Sequence, residues 1–121
     1  MKKYILTIDA GTTGLTDILF DDKLKVIDKE YSEVTQIYPK ENWVEHDPTE
    51  LIDKIELSAD KIIQKHLTKN IVSIGITNQR ESVVAWNKKT GKPIYNTIVW
   101  QCKRTNDYCK SLKKEKKISF Q

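Results

Sequence analysis

The segment WVEHDPTELIDKIELSADKIIQKHL is followed within a few residues by IVSIGIT, and that succession constrains the fold more than any other feature of the chain. Asp47 has the chemistry of a helix N-cap, Pro48 suits the first helical position, and Glu50 stands three residues after the cap, as in a capping box. Leu51, Ile55, Ala59, Ile62 and His66 then recur at helical spacing, which predicts an amphipathic helix of about five turns. IVSIGIT is short and apolar on both faces, the pattern of a central strand buried under helices. With a strand before the helix, this order implies a parallel crossover.

The flanks complete the outline. Tyr4 to Ile8 and Asp17 to Phe20 read as strands joined by a small-residue turn, and Leu24 to Thr35 as a ragged third, so the chain opens as an antiparallel meander. SVVAWNKKTGKPIYNTIVW places two strand-like runs around a Lys-Lys-Thr-Gly-Lys turn, and KRTNDYCKSLKKEKK reads as a helix with a solvated basic face. That helix has no clear stop, and ISFQ ends the chain on an apolar pair. The expected product is an unfinished α/β domain with a mixed sheet, one edge or face of which wants further cover.

At 121 residues the chain can build one core but not two. Hydrophobic residues at 38% and charged residues at 31% exclude a disordered, fibrous or disulfide-built protein. The net charge of +4 gathers in the stretch from Lys103 to Lys117, against an acidic stretch from Glu41 to Asp53, and gives no argument for nucleic acid. The apolar run after Lys2 and Lys3 stops at Asp9, and no run approaches the roughly 18 residues of a membrane span. Cys102 and Cys109, seven apart in the expected last helix, would share a face too far apart to bridge; we read them as reduced, in the cytoplasm.

Two stretches carry chemistry. In DAGTTG, backbone N–H groups and the hydroxyls of Thr12 and Thr13 would surround a concavity suited to phosphate oxygens, and Asp9 could hold Mg²⁺ through water. The plainer alternative is an ordinary hairpin with Gly11 at positive φ. In TNQRES, which follows the apolar strand where open α/β sheets collect ligands, Arg80 supplies donors and Glu81 acceptors, as a polyol hydroxyl requires. A surface ion pair is the alternative there. His46 lies between Glu45 and Asp47, but three consecutive residues cannot easily converge on one metal, and the cap already explains Asp47. Trp100 either walls a ligand or fills the core.

Together YILTIDAGTTG, TQIYPKENWVEHDP and IVSIGITNQRESVVAWNKKTGKPIYNTIVWQCKRT resemble, in order and spacing, the amino-terminal part of the glycerol kinases within the FGGY carbohydrate kinase family. Relatives in that family acting on pentuloses or gluconate carry a Gly-Gln-Met-His-Gly type of segment where this chain has TNQRE. The resemblance implies an actin-like, ribonuclease-H-like fold, with residues 1–121 forming part of the amino-terminal FGGY domain and the carboxy-terminal domain absent. It implies ATP and Mg²⁺ as cofactors and glycerol as substrate, with a homo-oligomeric parent compatible. Gly11, Thr12, Thr13 and Gly14 then correspond to the nucleotide-phosphate hairpin, Asp9 to the metal position, and Arg80, Glu81 and Trp100 to the glycerol site. The family's catalytic base lies beyond Gln121, so the chain alone is expected to be inactive. Its usual Asp-Gln-Gly-Thr-Thr-Ser-Ser-Arg is altered here to Ala10, Gly14, Leu15 and Thr16, which removes an arginine beside the phosphates. A non-catalytic binding module and a kinase for another polyol remain as alternatives.

Overall fold

The computed structural model describes residues 2–66 and 69–115; ISFQ and the end of the basic run lie outside them. Three antiparallel strands come first: β1 (Tyr4–Ala10), β2 (Gly14–Asp21) and β3 (Val26–Glu33). The turn into β3 is made by Asp21, whose carboxylate accepts from the N–H groups of Lys23 and Lys25 at 2.9 Å each, with Leu24 at φ 60°. That turn takes up the first residues of the expected ragged strand. A short strand, β4 (Glu45–His46), precedes helix α1 (Pro48–His66), and β5 (Ile71–Thr77) returns parallel to β1. The main sheet has the order β3-β2-β1-β5, so β1 is interior and the sheet is mixed, as the sequence predicts.

Asp47 caps α1 by accepting from the Thr49 N–H at 2.8 Å. The box is not closed as expected. The Glu50 carboxylate turns instead to the Thr35 hydroxyl at 2.7 Å and to Lys54 at 2.5 Å, pinning the helix start to the segment after β3. Alternation along β1 and β2 sends Leu6, Ile8 and Leu19 to one face, where Ile62 of α1 meets them, with Tyr4, Ile55, Ala59 and Ile71 packed around. At the far end of α1, Lys65 and His66 both reach Asp28 of β3, and these contacts with Lys65 and then His66 hold its carboxyl down to about 2.

One core position breaks the apolar pattern. Asp17 of β2 is fully buried against α1; Ser58 donates to its Oδ2 at 2.5 Å, and Oδ1 has no partner among the described residues. Burial pushes this carboxyl up, the Ser58 bond opposes that, and nearby Glu30 adds to the rise. The folded pKa therefore lies above the ordinary value of 3.8, so the contribution of Asp17 to stability is fully present below 3.8 and is lost as pH rises through the folded pKa. Asp17→Asn is expected to be more stable than the parent chain at pH 7, with the gap closing toward pH 4. Urea unfolding at several pH values measures it, and a gap independent of pH would exclude a buried charge as its cause.

The IVSIGIT strand departs from expectation. Rather than being central and covered, β5 is the sheet edge among the described residues, and Val72, Ile74 and Ile76 are exposed. Register puts Ile74 and Ile76 on the same face as Leu6 and Ile8, but α1 packs mainly across β1, β2 and β3 and leaves both exposed. Beyond β5, Gly91 at φ 70° turns the chain so that Trp86 meets Pro93 and Val83 meets Ile98. The second run ends in β6 (Thr97–Ile98), which pairs antiparallel with β4, a two-residue ladder with no signal in the sequence pattern. Helix α2 (Asn106–Lys114) buries none of its residues, in line with a solvated basic face. Cys102 lies before this helix, not on it, so the two cysteines share no helical face; both are free thiols.

Glu45 of β4 is a second fully buried acid. Arg104 reaches its Oε1 at 2.5 Å, the Tyr95 hydroxyl donates to the same oxygen at 2.8 Å, and Asn96 donates to Oε2 at 2.9 Å. Burial pushes the Glu45 carboxyl up, but the bonds from Arg104, Asn96 and Tyr95 together outweigh it and hold it below 4.5. Arg104 is itself fixed on its other side by stacking 3.9 Å from the Trp43 ring centroid.

Candidate active site

The turn between β1 and β2 and the segment after β5 meet at one end of the sheet. Gly11, Thr12, Asn78, Gln79, Arg80, Glu81 and Trp100 line an open cleft of about 350 Å³. A larger groove of about 440 Å³, walled mainly by Pro48, Ile52, Val84, Trp86 and Pro93, lacks a comparable set of converging polar groups.

In the hairpin, Gly11 is not at positive φ; among the described residues Gly91 is the glycine that is. Gly11 is needed for space, since a Cβ there would lie 2.8 Å from the Gly14 carbonyl oxygen. Gly14 is buried beneath the Tyr31 ring, and a Cβ there would come within 2.4 Å of that ring. Asp9, next to the last residue of β1, is exposed, with Thr16 of β2 and Thr77 of β5 as its cross-strand partners. Thr13 points its side chain to solvent and accepts from the Val34 N–H at 3.0 Å through its carbonyl.

On the opposite wall, Arg80 and Glu81 are both exposed, and neither makes an ion pair among the described residues. The surface-pair alternative therefore has no geometric support. Glu81 sits at φ 62°, a left-handed conformation that costs a non-glycine residue on the order of 1 kcal/mol and is concentrated at functional sites. Trp100 is 54% exposed and lines the cleft, so it is not core. Its indole N–H donates to the Thr12 hydroxyl at 2.9 Å, which bridges the two sides of the cleft.

Sequence reasoning missed the layer beneath. His46 is fully buried, with Nε2 3.0 Å from the Gln36 carbonyl and Nδ1 3.2 Å from the Gln79 amide nitrogen. Those amides in turn donate to the hairpin carbonyls, Gln36 to Thr12 at 2.9 Å and Gln79 to Gly11 at 3.1 Å. The only available signal was a histidine in an otherwise acidic cap, which points to no partner ten or thirty-three positions away. No group of three His, Cys, Asp or Glu able to hold a metal occurs among the described residues.

A parallel β-α-β crossover with a small-residue hairpin and an adjacent Arg–Glu pair around one cleft has the architecture of an open α/β protein, in which ligands gather at the carboxyl ends of the strands. The profile of the FGGY family of carbohydrate kinases, N-terminal domain, matches residues 4–120, and the chain belongs to that family. It is 56% identical over 116 residues to a glycerol kinase of Leptospira biflexa serovar Patoc, and 49% identical over 117 residues to a glycerol kinase of Treponema denticola. These matches cover 94% and 95% of this chain, which spans only 23% and 24% of those relatives. The Plasmodium falciparum glycerol kinase solved with ADP superposes with a TM-score of 0.86 at 31% identity, over 94% of this chain and 23% of that one. A gluconate kinase from Lactobacillus acidophilus gives a TM-score of 0.88 at 23% identity over 95% of this chain and 23% of that one, a likeness of fold alone. The fold is accordingly the actin-like α/β fold of the sugar kinases, represented by part of its amino-terminal domain. No described helix is long and apolar enough to cross a membrane.

Proposed function

We propose that the chain is the amino-terminal part of a cytoplasmic ATP-dependent glycerol kinase, which converts glycerol and ATP to sn-glycerol 3-phosphate and ADP. The observation that carries this reading is the shared cleft: the DAGTTG hairpin and the Arg80–Glu81 pair face one another across about 350 Å³, joined by the Trp100–Thr12 bond. Arg80 donates to one glycerol hydroxyl and Glu81 accepts from another, which orients the polyol. The Trp100 ring walls the carbon chain. Gly11, Thr12, Thr13 and Gly14 hold the nucleotide phosphates through N–H groups and hydroxyls; the Thr12 oxygen already accepts from Trp100, which leaves its proton to donate. ATP supplies the transferred phosphoryl group, and Mg²⁺ would neutralise its charge. Asp9 fits such an ion as a lone exposed carboxylate, because Mg²⁺ keeps several waters and needs few protein ligands when phosphates are present. The residues of this chain bind and orient; the catalytic base and adenine site are assigned to the remainder of a longer protein.

The test is phosphoryl transfer from ATP to glycerol by this chain and by a full-length parent, side by side. Turnover is expected in the parent and not in the chain alone. A parent that phosphorylates another polyol in preference to glycerol would overturn the substrate.

Thr16 favours a second reading, a binding module with weakened nucleotide affinity. It stands opposite Asp9 beside the turn of the hairpin, where an arginine would reach toward bound phosphate. Thr16→Arg in the parent is expected to tighten ATP binding about tenfold, equivalent to about 1.4 kcal/mol from a charge-assisted contact. Calorimetry with ATP and Mg²⁺ checks this, and equal dissociation constants would mean that another residue already supplies the charge.

A further inference from the structure

We propose that His46 is a positioning residue that ties the phosphate hairpin to the Arg80–Glu81 loop, so that the two halves of the cleft are set by one buried imidazole. The proposal rests on the reading of that cleft as a phosphate and polyol site. Both amide hydrogens of Gln36 are committed, to the carbonyls of Thr12 at 2.9 Å and Val34 at 3.2 Å, so its oxygen must face His46. Gln79 has its oxygen committed to the Ser82 hydroxyl at 2.9 Å and an amide hydrogen to Gly11, so its nitrogen must face His46. These orientations leave one arrangement of the imidazole: Nε2 carries the proton and donates to Gln36, while Nδ1 accepts from Gln79. Ser82 continues the chain by accepting from the Trp100 N–H at 3.3 Å. One contiguous set of hydrogen bonds thus runs from the backbone of Gly11 and Thr12, through His46, to the loop that carries Arg80 and Glu81 and on to the backbone of Trp100 after β6.

A second proton on the ring would set an N–H against the Gln79 amide, donor against donor. Gln79 would then have to turn its oxygen inward and abandon both Gly11 and Ser82. Burial lowers the His46 pKa from 6.5, opposed by Glu50 of α1, which is itself paired with Lys54. On its own segment His46 adjoins Glu45, neutralised by Arg104, and Asp47, engaged in capping; the hairpin from Ala10 to Gly14 carries no charge, and Arg80 and Glu81 directly follow Gln79. With the folded pKa depressed, the neutral network is stabilising above 6.5 and is lost as pH falls below that value through the folded pKa.

The test is NMR on the full chain without ligand. Ring nitrogen shifts should identify the Nε2–H tautomer. On lowering the pH, the amides of Gly11 and Thr12 and those of Gln79 to Ser82 should move with one shared midpoint, below 6.5, equal to that of the imidazole. In His46→Gln, that response should vanish while the circular dichroism spectrum is retained. An Nδ1–H tautomer, or hairpin and loop amides that ignore the imidazole titration in the unsubstituted chain, would overturn the proposal even if the variant failed to fold. Pyrophosphate and glycerol are then added separately: a shared midpoint with no response to either compound supports the coupling while removing the ligand reading of the cleft.

Discussion

Replacing Arg104 by methionine is expected to cost the fold about 3 to 5 kcal/mol, the usual penalty for stranding one member of a buried ion pair. Glu45 is wholly enclosed and shares its oxygens among Arg104, Tyr95 and Asn96, so water cannot take the place of the guanidinium. Against the roughly 5 to 15 kcal/mol by which small domains are stable, this would leave the chain marginal at room temperature. Urea unfolding of both proteins measures the loss. The pair also sets a pH window. Since the folded Glu45 pKa lies below 4.5, its contribution is fully present above that value and disappears as the pH falls through the folded pKa. Arg104→Met should lack this acid-side component, and a variant within about 1 kcal/mol of the parent chain would mean that Tyr95 and Asn96 suffice.

Glu81→Gln in a full-length parent is expected to raise the Michaelis constant for glycerol about tenfold or more while leaving that for ATP nearly unchanged. Weakening a charged acceptor that meets a hydroxyl costs about 1 to 3 kcal/mol, whereas an exposed ion pair is worth under about 1 kcal/mol and would affect stability alone. The position of Glu81 favours the larger figure, because it faces the cleft in a left-handed conformation and has no cation paired with it among the described residues. Steady-state kinetics with each substrate varied in turn decides the matter. An unchanged glycerol constant with a lowered melting temperature would make the residue structural.

Local rules in the sequence were sufficient for β1, β2, α1 and the parallel return of β5, because hydrophobic period and the Asp47-Pro48 start act within a few residues. They failed where partners are distant. Glu50 looked like the second half of a capping box, yet Thr35, fifteen positions away, and Lys54 take its carboxylate. The apolar content of IVSIGIT predicted cover on both faces, but composition cannot say where a helix will lie, and α1 sits over the other three strands. The two sides of the cleft were legible as motifs. His46 was not, because its role consists of bonds to Gln36 and Gln79, and glutamines in loops have no pattern of their own.

The packing of Tyr31 over Gly14 constrains how this hairpin can change over generations. A side chain at position 14 collides with the ring, and removal of the ring leaves an uncovered glycine, so the two positions are coupled. A lineage can exchange Gly14 for serine by a viable route only if Tyr31 is first shortened or its ring swings away into solvent, which its 56% exposure allows. The identity of the hairpin is thus recorded twice, once in the loop and once on the neighbouring strand, and the order in which the two residues are replaced decides which intermediates survive.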